Sequence, residues 1–548
     1  MGDAVPPPVG SRPAWIERLL ESTAYPHPVG AIKLIETHIS WVFLTGPFAY
    51  KVKKPLALEF LDFSTLERRR HFCAEEVRLN SRFAPELYLA AVPITGSPES
   101  PHVDGPGEAL EWAVKLVQFD EGNRLDALFC AGRLTAADCR RLGESIATVQ
   151  KRHAVADPTA ENGTVERLEA VFRMNLDEIR RHYPGAGSRA DSIEDWLEGG
   201  LARDHGAFEQ RVATGKIREC HGDLHLANLV LWDGRPVAFD SIEFNPDLRW
   251  IDVASDIAFL TMDLESRGRP DLAADVTSAW IEAADDHQAA AVLPWYRVAR
   301  AVVRAAVAAI RCAQADCSAG VADEARTECD RYLDLARRLM SPPPPQMVVI
   351  CGVSGSGKST LATAAIGLLG AVCLRSDVER KRLFQMAATD RPRDDAQRQA
   401  LYSAEVTQRV YERLAALAGG LLASGAGVVV DATCTTRRSR ALLTAVARTA
   451  GVKLVWIEID IPTAVLLVRV AARQADGRDA SDASVDIVRA QTSAREPILA
   501  EELAAAAGPH SPPALHLRVA ADDLADPARF LTMLKDRVCS HPLPEMLP

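Results

Sequence analysis

The chain has 548 residues, a formal net charge of −11 and a pI of about 5.7, and it is long enough for two or three domains of about 100–200 residues each. Hydrophobic residues make up 48% and charged residues 25%, as in ordinary globular proteins. The acidic balance weighs against nucleic acid and membrane surfaces as partners, because their phosphate groups attract basic patches.

The first residues and the cysteines indicate the compartment. Residues 1–13 are rich in Pro and Gly and lack the apolar core of about 7–15 residues that a signal peptide needs. The most apolar stretches, such as 299–310, contain Arg or are too short to span a bilayer. The 11 cysteines include no Cys-x-x-Cys pair and no zinc-ligand spacing. We therefore expect a reduced, cytoplasmic protein without a membrane segment.

The first third of the chain predicts strands around one helix. Trp41–Leu44 and Phe48–Val52 flank a Gly-Pro turn, which indicates a β-hairpin. Ser64 precedes a helical pattern over 65–83, with Glu67 placed as in a capping box. This combination predicts a small, sheet-rich lobe that carries one helix.

Four consecutive prolines divide the chain. They lie within 341–346 and favour a stiff extended spacer, because Pro cannot sit inside a helix or a central strand. Before them we expect one domain, 1–340, with a small lobe at about 30–120 and a helical large lobe at about 121–340. After them, strands and helices alternate over 347–540, which predicts a parallel sheet.

A phosphate-binding loop opens the C-terminal part. The run 352–359 fits the Walker A pattern G-x-x-x-x-G-K-[ST], follows the apolar strand Met347–Cys351 and precedes a helical pattern. Glycines let backbone N–H groups surround phosphate oxygens, the Lys neutralises phosphates, and the Ser hydroxyl can bind Mg²⁺. The predicted nucleotide-binding residues are Gly352, Ser354, Gly355, Ser356, Gly357, Lys358, Ser359 and Thr360.

Two carboxylates at predicted strand ends complete this site. Asp431 ends an apolar strand and suits Mg²⁺ binding with Ser359, although it could instead cap the next helix. Asp377 follows a second strand, which we predict to lie beside the P-loop, where a carboxylate can accept a proton from a substrate hydroxyl. Arg380, three residues later, can hold an anionic group; the competing interpretation is a helix cap followed by a solvated Arg.

Arginines precede a polar loop further along. Arg469, Arg473 and Arg478 could belong to a lid that stabilises charge on the transferring phosphoryl group. A solvated helix face is the competing interpretation for any one of them. Arg473 is the candidate catalytic arginine, and the choice among the three stays open.

Residues 346–540 resemble small-molecule P-loop kinases, in particular gluconate kinase and the polynucleotide kinase and zeta-toxin group. The resemblance rests on 352–360, on Asp377 and Arg380, and on Gln491 with the later Glu496-Pro497. It implies that Asp377 is the general base of the reaction and that Arg380 assists it.

A second constellation lies in the N-terminal part. Asp223 and Asn228 have the spacing D-x-x-x-x-N, and a strand ending in Asp240 follows, as in protein kinases. In that pattern one Asp orients and deprotonates the acceptor hydroxyl, while the Asn and the second Asp bind Mg²⁺. We interpret His221 as a packing residue and His225 as a loop residue without chemistry.

The His-Gly-Asp sequence at 221–223 closely resembles the aminoglycoside phosphotransferase family. The resemblance implies that Asp223 is the base, that Asn228 and Asp240 are Mg²⁺ ligands, and that an Asp of the following helix anchors the catalytic loop. Asp256 matches that anchor better than Asp252, because Ile-Ala-Phe follows it.

The same family implies a phosphate-binding lysine on a strand of the small lobe. Lys51 is the first candidate, and Lys53, on the same strand face by alternation, and Lys54 are competitors. Glu76 points inward by helical spacing and is the expected acidic partner, with Glu75 as its alternative.

The whole chain resembles bacterial fusions of an aminoglycoside phosphotransferase-like domain with an AAA-type P-loop kinase domain. The expected fold class is therefore an α/β and α+β multidomain protein, with an N-terminal bilobal protein-kinase-like fold and a C-terminal P-loop NTPase fold. We expect a bifunctional kinase that uses ATP and Mg²⁺ at two sites to phosphorylate hydroxyl groups of small molecules. The alternatives are that one module is a nucleotide-gated regulator, or that the C-terminal module is a 5′-hydroxyl polynucleotide kinase. The sequence identifies neither acceptor nor oligomeric state.

Overall fold

The computed structural model describes residues 12–58, 61–157, 160–313, 319–476, 484–509, 511–520 and 530. The chain packs as two compact units. The first comprises residues 1–138, 148–171 and 208–263, and the second comprises residues 139–147, 172–207 and 264–548. These bounds differ from those of the predicted domains, which meet at the proline linker. The predicted domain bounds, 1–340 and 347–540, stay predictions.

The strands of the described chain are, in order, β1 (Lys33–Glu36), β2 (Ser40–Leu44), β3 (Phe48–Lys53), β4 (Ala57–Leu58), β5 (Leu61–Asp62), β6 (Tyr88–Ser97), β7 (Ser100–Val103), β8 (Ala109–Val117), β9 (Ile217–Glu219), β10 (Leu229–Trp232), β11 (Arg235–Ala238), β12 (Trp250–Asp252), β13 (Gln346–Cys351), β14 (Ala371–Arg375), β15 (Gly427–Asp431), β16 (Lys453–Asp460) and β17 (Leu515–Ala520).

Its α-helices are α1 (Ala14–Arg18), α2 (Leu66–Asn80), α3 (Leu125–Cys130), α4 (Ala136–Gln150), α5 (Val165–His182), α6 (Gly187–Arg203), α7 (His205–Ala213), α8 (Val253–Ser266), α9 (Pro270–Ala284), α10 (Leu293–Cys312), α11 (Ala319–Leu339), α12 (Lys358–Leu369), α13 (Ser376–Arg382), α14 (Asp395–Leu401), α15 (Ala404–Ala423), α16 (Arg437–Ala450), α17 (Thr463–Asp476), α18 (Val485–Ser493) and α19 (Ala500–Ala504). Within the described ranges, none of these helices is long and apolar enough to cross a membrane.

The first unit is built on a six-stranded antiparallel sheet with the order β1-β2-β3-β8-β6-β7. The predicted hairpin is present, because β2 pairs antiparallel with β3. Side chains of β3 alternate between the two faces. Tyr50 and Val52 join a core that includes Ile16 of α1, whereas Ala49 faces the core that Cys73 of α2 enters. Alternation therefore directs the two lysines of β3 towards α2.

Helix α2 begins at Leu66, after an N-cap that differs from the predicted one. The Thr65 hydroxyl accepts a hydrogen bond from the Arg68 N–H at 3.3 Å. The Ser64 hydroxyl instead donates to Asp62 at 2.6 Å. The predicted Ser64 cap, with its capping box to Glu67, is wrong because that hydroxyl is engaged in the preceding turn.

Two small antiparallel sheets frame the predicted catalytic loop. Strand β9 leads into the loop and pairs with β12, and β10 leaves the loop and pairs with β11. Helix α8 begins immediately after β12. This arrangement brings residues 220–228 and residues 239–249 together without a large sheet.

The second unit contains a five-stranded parallel sheet with the order β14-β15-β13-β16-β17. Its strands are apolar runs such as Met347–Cys351, which is buried throughout, as expected for strands covered on both faces. Strand β14, which precedes Asp377, is separated from the P-loop strand β13 by β15.

Candidate active sites

A buried ion-pair cluster lies between β3 and α2 in the first unit. The Nζ of Lys51 lies 2.9 Å from Oε1 of Glu76 and also contacts the Asp240 carboxylate. Glu76 is fully buried, whereas Glu75 pairs with Arg78. The structure thus places Glu76, and not Glu75, beside the lysines.

Lys53 belongs to the same cluster but has different partners. Its Nζ lies 2.6 Å from Oε2 of Glu76 and contacts Glu243. The Lys53 side chain is fully buried, whereas 13% of the Lys51 side chain is exposed. Lys51 is therefore the lysine with access to a ligand and to Asp240, and Lys53 holds Glu76 from below. Sequence reasoning missed Glu243.

The charges of this cluster set its protonation states. Burial alone would raise the pKa of Glu76, but the ammonium groups of Lys51 and Lys53 lower it to about 2. Burial alone would lower the pKa of Lys51, but Asp240 and Glu76 raise it well above its usual value. Burial raises the pKa of Glu243 more than Lys53 lowers it. The Lys51–Glu76 pair is therefore charged at neutral pH.

The predicted catalytic loop brings Asp223 and Asn228 together. The Asn228 Nδ2 donates to both the backbone oxygen and the Oδ2 of Asp223, at 3.0 Å each. The Nε2 of His225 lies 3.3 Å from the same carboxylate oxygen. His225 therefore contacts the predicted base, which sequence reasoning did not anticipate, and its interpretation as a loop residue without chemistry stays a prediction.

Helix α8 supports this loop from beneath. The buried Asp256 carboxylate accepts hydrogen bonds from the backbone N–H groups of His221 at 3.2 Å and Gly222 at 3.0 Å. Gly222 has a φ of 87°, and a Cβ there would lie 2.7 Å from the Leu248 carbonyl oxygen. Asp256 is therefore the anchor that the sequence favoured over Asp252. Position 222, directly before Asp223, accepts only Gly because of its positive φ and the close Leu248 carbonyl.

Asp240 reaches the site from a strained backbone. Its φ is 66°, and its backbone N–H donates to the Tyr88 hydroxyl at 3.0 Å. The Phe239 N–H donates to the Asn228 carbonyl at 3.0 Å, so Asn228 and Asp240 lie at the same end of the β10–β11 hairpin. An amide oxygen and a carboxylate are oxygen ligands of the kind that Mg²⁺ prefers.

The second site surrounds the P-loop in the second unit. Gly352, Gly355 and Gly357 have φ values of 151°, 85° and 97°, which Gly adopts without strain. A Cβ at Gly355 would lie 2.8 Å from a methyl group of Val470. Helix α17 thus packs directly on the loop, and α12 begins at Lys358 with its N-terminus towards it.

The predicted magnesium ligands of this site lie together. The Ser359 hydroxyl donates to Oδ2 of Asp431 at 2.6 Å, and the Lys358 Nζ donates to the Val353 carbonyl at 3.1 Å. Burial raises the pKa of Asp431, although the Lys358 charge lowers it in part. A hydroxyl and a buried carboxylate fit a divalent cation, which would balance the Asp431 charge.

Asp377 and Arg380 lie on α13, after β14. Their side chains are 4.0 Å apart, and the Asp377 charge contributes to raising the pKa of Asp431, so the two carboxylates are within electrostatic reach. The buried Arg380 donates to the Leu401 carbonyl at 2.7 Å and stacks on Tyr402. Its guanidinium is thus fixed by protein contacts.

Other P-loop and lid residues have varied positions. Thr360 is exposed, and the Ser356 hydroxyl is buried without a hydrogen-bond partner within the described chain. Gln491, which the sequence marked only by resemblance, accepts a hydrogen bond from the Ser354 N–H at 2.9 Å. Arg469 is exposed. The Arg473 side chain and Arg478 lie outside the described residues.

Comparison with known proteins places this chain among relatives. Residues 347–498 match the family model of an AAA domain. Over 470 residues the chain is 30% identical to the uncharacterized protein Rv2004c of Mycobacterium tuberculosis. This match covers 84% of this chain and 91% of that protein. The uncharacterized protein Mb2027c of Mycobacterium bovis matches to the same extent. The chain belongs to the family of these mycobacterial proteins.

Solved structures resemble parts of the chain. A gluconokinase from Sinorhizobium meliloti is 21% identical, with a TM-score of 0.23, over 36% of this chain and 98% of that chain. A choline/ethanolamine kinase family protein from Mesorhizobium loti is 14% identical, with a TM-score of 0.35, over 59% of this chain and 99% of that chain.

The predicted fold class is confirmed. The first unit has an antiparallel sheet covered by helices and a His-Gly-Asp loop, as expected of a kinase-like fold, and the AAA region has a parallel sheet flanked by helices around a P-loop. The predicted AAA-type P-loop domain is confirmed over residues 347–498, whereas the aminoglycoside phosphotransferase-like character of the N-terminal segment stays a prediction.

Proposed function

We propose that the protein is a bifunctional ATP-dependent kinase with two Mg²⁺–ATP sites, each of which phosphorylates a hydroxyl group of a small molecule. The observation that supports this proposal is that each site brings together the same three kinds of group. These are a lysine for phosphate, a pair of oxygen ligands for Mg²⁺, and a further carboxylate. In the first unit these groups are Lys51, the pair Asn228 and Asp240, and Asp223. Contacts among them support the assignment.

In the second unit the set consists of Lys358, the pair Ser359 and Asp431, and Asp377. The Ser359–Asp431 contact and the electrostatic proximity of Asp431 to Asp377 support it. Backbone N–H groups of the P-loop and the N-terminus of α12 add positive potential for phosphate. When bound, Mg²⁺ would neutralise charge on the phosphates at both sites.

The proposed step is the same at each site. The acceptor hydroxyl oxygen bonds to the γ-phosphorus while the bond from that phosphorus to the β–γ bridging oxygen breaks, and ADP leaves. The hydroxyl proton passes to Asp223 in the first unit and to Asp377 in the second. Each carboxylate orients the hydroxyl before accepting its proton.

A titration with a non-hydrolysable ATP analogue tests the two-site proposal. We expect about two analogues bound per chain, because the two sets share no residue. Lys358→Ala should remove one site and Lys51→Met the other. A wild-type stoichiometry of one that falls to zero in Lys358→Ala would refute the N-terminal assignment.

Incubation of metabolite extracts with γ-labelled ATP tests the transfer itself. We expect labelled small molecules that disappear selectively in Asp223→Asn or in Asp377→Asn. Analogue binding without any labelled product would favour a nucleotide-gated regulator, and label on 5′-hydroxyl oligonucleotides would favour a polynucleotide kinase.

A further inference from the structure

Helix α9 belongs to the core of the second unit, although it precedes the proline linker. It lies along β14, the edge strand of the parallel sheet, and the Cys373 N–H of β14 donates to the Ser278 hydroxyl at 2.9 Å. Ala274 packs on the apolar core of the same sheet. An uncovered edge strand presents unpaired backbone groups. Helix α9 covers this edge and supplies a hydrogen-bond partner for one of those groups.

Helix α9 also approaches the P-loop helix closely. A Cβ at Gly367 of α12 would lie 3.1 Å from the carbonyl oxygen of Asp271 and 3.4 Å from a carboxylate oxygen of Asp275. Real side chains rarely tolerate the shorter of these separations. The backbones of α9 and α12 are therefore in direct contact, which fixes one relative to the other.

The C-terminal end of α9 contacts α13 through charged groups. Arg382 contacts the Glu282 carbonyl oxygen and lies 3.2 Å from the Asp285 carboxylate. Arg413 of α15 lies 3.3 Å from the same carboxylate and contacts Glu379. Glu379 in turn contacts Arg382 and is almost fully buried. Asp285, Arg382, Arg413 and Glu379 form one cluster, here called the α13 clamp.

The position of Asp377 depends on how α13 is held. Helix α13 has seven residues, and a helix this short is not stable in isolation, so its orientation comes from tertiary contacts. Glu379 and Arg382 of the clamp lie two and five residues after Asp377. A change in the clamp would therefore move the carboxylate relative to Asp431 and the P-loop.

We infer that the α13 clamp is a positioning device for the C-terminal reaction, in which Asp285 of the segment before the linker holds Asp377 in place. This inference rests on the proposed role of Asp377. It makes residues around α9 a functional part of the P-loop site, acting through another residue and not on the substrate.

The test is Asp285→Asn in the full chain. Asp285 has a φ of 52°, which Asn tolerates well, so the variant removes charge without forcing a new backbone. Background Asp223→Asn silences the first site, and steady-state ATP hydrolysis, with water as acceptor, reports the second. We expect a fall in kcat of roughly 10-fold, since small misplacements are costly, and an unchanged Kd for the ATP analogue.

A double-mutant cycle separates positioning from general stability. If the clamp acts through Asp377, Asp285→Asn should not slow the Asp377→Asn enzyme further. Arg413→Gln should behave like Asp285→Asn and provides a second variant if the first folds poorly. Asp323→Asn, which breaks an exposed pair with Arg326 on α11, is the matched control and should keep the wild-type kcat.

The outcomes distinguish this inference from the proposed function. A slow Asp377→Asn enzyme together with fully active clamp variants would overturn the inference alone. Equal slowing by Asp285→Asn with and without the Asp377 carboxylate would also overturn it. A fully active Asp377→Asn enzyme would overturn the proposed base and the inference together.

Discussion

The two sites position the same chemistry by different means. In the first unit, residues far apart in sequence converge: Lys51 of β3 meets Glu76 of α2 and Asp240 of a later hairpin. In the second unit, the groups proposed to bind phosphate are contiguous, from Gly352 to Lys358, and consist largely of backbone. One site is thus held by buried charges and the other by a loop conformation and a helix N-terminus.

This difference determines how each site tolerates substitution. A buried ion-pair cluster loses much when one partner is removed, because the remaining charge is left without compensation. A backbone loop is insensitive to most side chains but not to a Cβ at Gly355, which would collide with Val470. We therefore expect side-chain substitutions to affect stability more in the first site than in the second.

The largest expected effect is the loss of phosphoryl transfer when either proposed base is replaced. Asp223→Asn and Asp377→Asn should each lower transfer at their own site by about 10²–10⁴-fold, the usual contribution of general base catalysis. Analogue affinity should change little, because in the proposed mechanism both groups act on the acceptor and not on the nucleotide. Parallel kcat and Kd measurements on the two variants check this.

A metal-ligand variant provides the contrast for that prediction. Asp240→Asn should weaken binding of the Mg²⁺ complex of the analogue, since it removes an oxygen ligand. Equal losses of analogue affinity in Asp223→Asn and Asp240→Asn would show that the assigned division of roles is wrong.

The next effect separates the two lysines of β3. Lys53→Met should lower the free energy of unfolding of the first unit by about 3–5 kcal/mol, because Glu76 and Glu243 would lose a buried partner. Lys51→Met should cost less stability, because the carboxylate that it leaves, Asp240, is partly exposed whereas Glu243 is buried, but it should abolish analogue binding at the first site. Calorimetry together with analogue titration measures both quantities.

Lys54→Met is the matched control for the lysine series. Lys54 pairs with Glu36, which is partly exposed and also contacts Arg12, so its removal should cost about 1 kcal/mol or less. If Lys53→Met destabilises the unit no more than Lys54→Met, the buried cluster is not the structural core of the site.

The sequence could predict those parts of each site whose residues lie close together along the chain. The Walker A run and the D-x-x-x-x-N spacing are local patterns that the sequence shows directly, and the structure places 352–357 in a loop that leads into α12 at Lys358. Strand alternation could only narrow the lysine choice to Lys51 and Lys53, because both point to the same face. Burial distinguishes them, and burial depends on Glu243, which lies 190 residues further along the chain.

Other misses also come from tertiary contacts. The sequence cannot show that β15 lies between β14 and β13, because strand order follows from the packing of the whole sheet. Nor can it show that Ser64 hydrogen-bonds with Asp62 and leaves Thr65 as the cap. The role of α9 was hidden for the same reason: the proline linker marks a boundary in sequence, whereas the edge of β14 is covered from across it.

The smallest expected effect is a change in the stability of the first unit at acidic pH. Glu219, at the end of β9 directly before the catalytic loop, contacts Arg78, Arg82 and Arg249. Burial alone would raise the pKa of Glu219, but hydrogen bonds and charges from these arginines lower it to about 2. A folded-state pKa below the unfolded value of about 4.3 means that Glu219 contributes stability above that value and loses its contribution as pH falls towards 2.

Glu219→Gln should therefore lower the thermal midpoint at pH 6, and the difference from wild type should shrink steadily between about pH 4.5 and pH 2. Glu121→Gln, at an exposed pair with Lys33, should show a much smaller difference at every pH. Since the arginines stay charged throughout this range, the change with pH reports Glu219 itself. A constant difference across the range would mean that Glu219 supports the loop by shape and hydrogen bonding alone. In that case the charge of Glu219 would not stabilise the first unit, and the view that buried charges hold the first site would be weakened.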